Sequence, residues 1–153
     1  MNLYPDISAI WTLLGRTSRL EIRAELSQSE RLETRVGAAA VFVSHPSQDT
    51  LYFHEKGEWI LPEPRLAFTN ILRWSMDVAS SEIALEHLRQ GADRPVFLFK
   101  LRPAAPFVLQ SVAPHRCGED CYTAEFHWRG NEIEWVCSIA GPRKTIRLTY
   151  RYF

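Results

Sequence analysis

The residues best equipped for chemistry stand together between Ala113 and Trp128, in the run APHRCGEDCYTAEFHW. An imidazole (His115), a thiol (Cys117), two carboxylates (Glu119 and Asp120) and a phenol (Tyr122) are close neighbours there. His115 and Cys117 are two positions apart, as are Asp120 and Tyr122, so each pair shares a face if the backbone is extended. A carboxylate beside an imidazole fixes its tautomer and raises its basicity. A tyrosine hydroxyl in an apolar cavity donates to a ligand oxygen or protonates a developing charge. If the chain is an enzyme, the expected catalytic residues are therefore His115, Asp120 and Tyr122. The same residues also suit a structural plug, with Asp120 capping turn amides, His115 held by a carbonyl and Tyr122 bonded across a sheet.

Other chemistries fit less well. His115, Cys117, Cys121 and His127 are all metal-ligand types, but their spacing does not reproduce the paired supply of a zinc finger. Strand parity also sets Cys121 and His127 opposite Tyr122 and Trp128, so no metal is expected. A His115–Cys117 nucleophilic pair lacks a helix N-terminus to activate the thiol and a clear oxyanion donor set. His87 or His115 could serve a haem as axial ligand, yet a lone histidine on an apolar face is more often a satisfied core residue, and no cofactor is expected. The GPRK run from Gly141 to Lys144 lacks the glycine spacing and strand-to-helix setting of a phosphate loop.

The elements that must position these residues are mostly strands. Tyr122, Ala124, Phe126 and Trp128 share one face of an alternating run that follows a polar turn. Arg19 to Leu26 alternates cleanly, with Leu20, Ile22, Ala24 and Leu26 on one side and charged residues on the other. SQSERLETRVG reads as a polar connection or strand end, and GAAAVFVS as a second strand closed by the HPSQDT turn. LYFHEKGEWIL reads as a hairpin about Lys56 and Gly57, with Phe53, Glu55 and Trp59 near its turn. LPEPR breaks the sheet with two prolines.

Phe68 to Val78 is a long alternating strand whose apolar set, Phe68, Leu72, Trp74, Met76 and Val78, is interrupted by Asn70. An inward amide needs a partner in the core or in a ligand. Residues 80–88 read as a strand with Ile83, Leu85 and His87 on one face. VFLFKL and PFVLQSV pair about Arg102 to Ala105. Arg129 to Asn131 forms a tight hairpin into EIEWVCSI, where Ile133, Trp135, Cys137 and Ile139 share a face and Cys137 acts as a small core hydrophobe. Ile146, Leu148, Tyr150 and Tyr152 define the final strand. One helix is expected, following Pro5 and Asp6, where Ile7, Ile10, Trp11 and Leu14 keep helical spacing and Gly15 ends the run. Short strands at hairpin spacing with a single short helix predict an all-β antiparallel barrel.

Composition narrows the class. A chain of 153 residues suits one domain, and 18 basic residues against 18 acidic ones leave no global attraction for nucleic acid or an anionic membrane. Three cysteines without a secretory leader point to a reduced, cytoplasmic protein, and no apolar stretch is long enough to cross a bilayer. Five tryptophans and five tyrosines suit sheet and cavity walls.

Trp11 and Gly15 ahead of SRLEIR, the LYFHEKG segment, PHRCGEDCY and GPRK together resemble a family of small proteins assigned a calycin, or lipocalin-like, barrel. Its His-x-Cys-x-x-Asp-x-Tyr signature falls on His115, Cys117, Asp120 and Tyr122. Its Trp and Gly-Pro-Arg-Lys elements fall on Trp135 and on Gly141, Pro142, Arg143 and Lys144. The chain departs from the pattern at PVFLFKL, where that family tends to carry a Gly-Arg-Phe-His-like segment, so no role rests on a histidine there. The resemblance implies the fold and no activity.

The expectation is a single domain over 1–153, a lipocalin-like barrel of roughly eight to ten strands with a short N-terminal helix. Its interior would bind a small, largely apolar or aromatic molecule through Asn70, Trp74, His87, His115, Tyr122, Trp135 and Arg143. The fork of Arg143, following Pro142, would hold a carboxylate such as Asp120 or Glu119. The alternatives are a barrel enzyme performing proton transfer (isomerisation, cyclisation or a small hydrolysis) and an interaction module with a filled core. A homodimer is compatible with each of these readings.

Overall fold

The computed structural model describes residues 7–153. Pro5 and Asp6, expected to precede the helix, lie outside the described residues. Those described form one helix, α1 (Ile7–Gly15), and eleven strands: β1 (Arg19–Gln28), β2 (Arg31–Ser47), β3 (Thr50–Leu61), β4 (Leu66–Asp77), β5 (Glu82–His87), β6 (Val96–Ala105), β7 (Val108–Ser111), β8 (His115–Cys117), β9 (Asp120–Arg129), β10 (Glu132–Ala140) and β11 (Lys144–Tyr152). Each strand is antiparallel to its neighbours, and the sheet closes because β9 pairs with β10 while β11 pairs with both β10 and β1. The short β8 continues the line of β7 along β9. The result is a closed antiparallel barrel.

Period-two alternation builds the wall. Leu20 and Ile22 of β1, Phe53 of β3, Leu72 and Trp74 of β4, Ile83 and Leu85 of β5, Phe126 of β9 and Ile133 and Trp135 of β10 all point into one core. Because neighbouring strands run in opposite directions, the β2–β3, β4–β5, β6–β7 and β9–β10 turns gather at one end, and α1 packs there. It buries Ile7, Ile10 and Leu14, and the Trp11 indole N–H donates to the Gln48 carbonyl at 3.0 Å. The other turns, including β8–β9 and β10–β11, surround the opposite end.

Several local expectations are corrected. Lys56 and Gly57 form no hairpin, since β3 runs unbroken through them and pairs on both sides. A Cβ on Gly57 would come within 2.5 Å of Ala39 Cα and closer still to the Ala38 carbonyl oxygen. The glycine therefore serves close strand approach rather than a turn. SQSERLETRVG is mostly strand, turning only at Ser29 and Glu30, whose φ values of 47° and 65° reverse the chain. The β6–β7 reversal falls at Pro106 and Phe107 instead of Arg102 to Ala105, with φ 62° at Phe107. Val78 lies beyond β4 and is exposed, outside the apolar set assigned to it.

Candidate functional site: a buried carboxyl in an aromatic core

The two ends of the barrel interior differ. Near α1 the inward-facing side chains are sealed: Leu20, Phe53, Trp74, Leu85 and Tyr152 have no measurable exposure. Toward the opposite end, inward-facing Phe68, Tyr122, Ile139, Leu148 and Tyr150 pack on the core yet remain only half-buried. The interior is thus sealed at the helix end and less completely covered at the opposite one.

Beneath the less covered end lies a buried carboxyl group. Glu55 of β3 is 2% exposed, accepts a hydrogen bond from the Tyr152 hydroxyl at 2.7 Å, and accepts a long one from the Asn70 amide at 3.5 Å. Register explains the second contact, because Glu55 and Asn70 are direct cross-strand partners. No cationic side chain among the described residues pairs with Glu55. Burial pushes its pKa up to about 7, against a smaller opposing pull from the two hydrogen bonds. Burial likewise raises the phenols of Tyr150 and Tyr152, with Glu55 as the second cause for each.

Aromatic rings frame this group. Trp135 and Tyr150, cross-strand neighbours, stack at 4.0 Å and 4°, while Phe53 meets Tyr152 edge-on at 5.2 Å and Trp74 meets Trp135 edge-on at 6.4 Å. The indole N–H groups of Trp74 and Trp135 are buried without an acceptor. That of Trp135 exerts a lowering influence on the Tyr152 phenol without meeting hydrogen-bond geometry. Buried donors of this kind are rare.

The residues singled out in the sequence divide between the surroundings of Glu55 and the rim. Asn70 lies beside Glu55, Trp74 and Trp135 are buried in the aromatic core, and Tyr122 packs on that core nearer the open end. His115 is the cross-strand partner of Tyr122, with ring centroids 5.9 Å apart, and its other side meets Phe97 edge-on at 5.3 Å. Asp120 is in register on the same face, but no hydrogen bond joins it to His115; its carboxylate lies against Gly141, where a side chain would overlap it. His87 is half-buried, and its Nδ1 accepts the Arg89 backbone N–H at 2.9 Å. Burial lowers its pKa, assisted by the Arg89 charge. Arg143 is exposed on the β10–β11 turn and forms no ion pair among the described residues, Asp120 and Glu119 included. Cys137 packs in the core, where burial pushes its thiol up to about 12.

Outside the barrel, a hollow beside the β6–β7 and β9–β10 turns is lined by Phe107, His127, Trp128, Glu134 and Arg151, and contains none of the expected site residues. No group of three or more His, Cys, Asp or Glu among the described residues is arranged to hold a metal ion. No helix among them is long and apolar enough to cross a membrane.

Fold and interior define an all-β protein: a closed antiparallel barrel with one short helix and an aromatic core around a buried carboxyl group. Residues 16–153 match a family of unknown function (DUF6314), and the chain belongs to that family. Neither a curated protein nor a solved structure matches it.

Proposed function

We propose that the less covered end of the barrel is the mouth of a funnel, and that this chain binds a small, largely apolar molecule non-covalently inside it, in the manner of a lipocalin-like barrel. The observation that carries this reading is the partial exposure of inward-facing apolar side chains at the open end, above a sealed floor. A ligand there would displace water from Phe68, Ile139, Leu148 and Tyr150, each buried methylene contributing about 0.8 kcal/mol. Its polar group would meet Asn70 at the floor, while Tyr122, His115 and His87 orient it nearer the rim and Trp74 and Trp135 support the bed from below. Arg143, free on its turn, is available to an acceptor entering the mouth.

A blocking substitution tests this reading. Leu148→Trp adds an indole to the half-buried upper wall, away from the sealed layer. The expected result is at least a tenfold loss of affinity for the neutral dye Nile red, about 1.4 kcal/mol, with the urea unfolding midpoint retained. Unchanged dye affinity in a folded variant would place any binding outside the barrel and sink the proposal.

A further inference from the structure

A carboxyl group beneath an aromatic wall, with no cationic side chain of the described residues beside it, says something about what such a funnel would admit. We propose that the bound molecule carries a protonated amine and that Glu55 is its anionic partner. This rests on the funnel-binding reading and names the chemical class of its ligand.

Three features support it. Glu55 is anchored by donors alone, Tyr152 at 2.7 Å and Asn70 at 3.5 Å, which is how a carboxylate is held rather than an acid that must give its own proton away. The Asn70 bond is long enough to yield to a better donor, and Asn70 is the partly exposed member of the pair. The walls above are aromatic: Trp59, four positions beyond Glu55 on β3, and Phe68, two positions before Asn70 on β4, lie 5.6 Å apart and are half-buried, and Tyr150 of β11 packs against the same core. Aromatic faces attract cations, most strongly where water is excluded. A ligand carboxylate or phosphate would instead meet Glu55 as a like charge.

The amine would also relieve the cost of burying the carboxylate. The titratable groups facing Glu55 are the Tyr150 and Tyr152 phenols of β11 and, beyond them, the Cys137 thiol of β10, all raised by burial and all neutral near pH 7. His87 of β5, His115 of β8 and Asp120 and Tyr122 of β9 are the further titratable groups toward the rim. Glu55 is the one whose ionisation an amine would favour.

The experiment uses three probes of one chain length, decylamine, decanol and decanoate, titrated calorimetrically into the full chain. With Glu55 near its midpoint at about pH 7 and the amine protonated throughout, decylamine affinity is expected to fall about tenfold from pH 8 to pH 6, while decanol affinity does not. At pH ~8 the expected order is decylamine, decanol, decanoate, by about tenfold for the first step. Glu55→Gln should abolish both the amine preference and its pH dependence while decanol still binds. Decanol or decanoate binding as tightly as decylamine overturns the proposal and leaves funnel binding standing. A pH dependence that survives in Glu55→Gln also overturns it, by assigning the effect to the histidines. If none of the three probes binds and Nile red also fails, it is the funnel reading itself that falls. Should Glu55→Gln fail to fold, Tyr152→Phe removes the donor that favours the carboxylate, and the midpoint of the decylamine profile should move to higher pH; an unmoved midpoint counts against Glu55.

Discussion

Glu55 makes stability depend on pH in a direction opposite to most carboxylates. Its folded pKa of about 7 lies above the ordinary 4.5, so the folded chain holds a proton that the unfolded chain has released. The contribution is fully present below the unfolded value and is lost as pH rises through the folded one, by about 3 kcal/mol in all. Urea unfolding of the ligand-free protein should therefore show the stability of wild type falling relative to Glu55→Gln between about pH 5 and pH 8. A difference that stays constant with pH would mean that the carboxyl is solvated. Part of this site is legible in the sequence. Alternation alone shows Asn70 as an inward amide in need of a partner. Glu55 escapes notice because Lys56 and Gly57 look like a turn, which puts the carboxylate at a wet hairpin tip; the period-two set Leu51, Phe53, Glu55 is the signal that places it inside. Its bond to Tyr152 spans 97 positions, and no local pattern reveals such a partner.

At the scale of elements, β2 and β3 show what pattern reading resolves and what it does not. The alternation of β1, β4, β9, β10 and β11 is visible because one face is apolar and the other mostly polar or charged. Strand β5 is recovered from Ile83 and Leu85 despite helix-favouring residues. Glycine is ambiguous, since the missing side chain serves a reversal and a tight strand crossing equally well, and only the neighbouring strand decides between them. At Gly57 that neighbour is the Ala38–Ala39 backbone of β2. Gly57→Ala should accordingly cost about 3 kcal/mol in urea unfolding, because backbone rather than a flexible side chain must move. A loss no larger than that of an exposed strand position would show that β2 and β3 separate easily there.

Over the whole molecule, the all-β class and the single helix follow from strand spacing, whereas closure depends on pairings between distant segments. Leu20 of β1 is opposite Tyr152 of β11, and β11 is also the partner of β10. Strand β11 is thus the stave that completes the ring, and it carries the Tyr152 hydroxyl to Glu55. That arrangement has a kinetic consequence. Hairpins such as β1–β2 join residues close in sequence and can form early, but the ring cannot shut until segments well over a hundred positions apart meet in register. Pairings of such sequence separation must meet the cost of loop closure before they gain any contact energy, so folding belongs in the slow range of about milliseconds to seconds. Until then β1 and β11 present unpaired edges, the species from which chains associate wrongly. Refolding yield should accordingly fall as protein concentration rises, measured as soluble monomer recovered on dilution from urea.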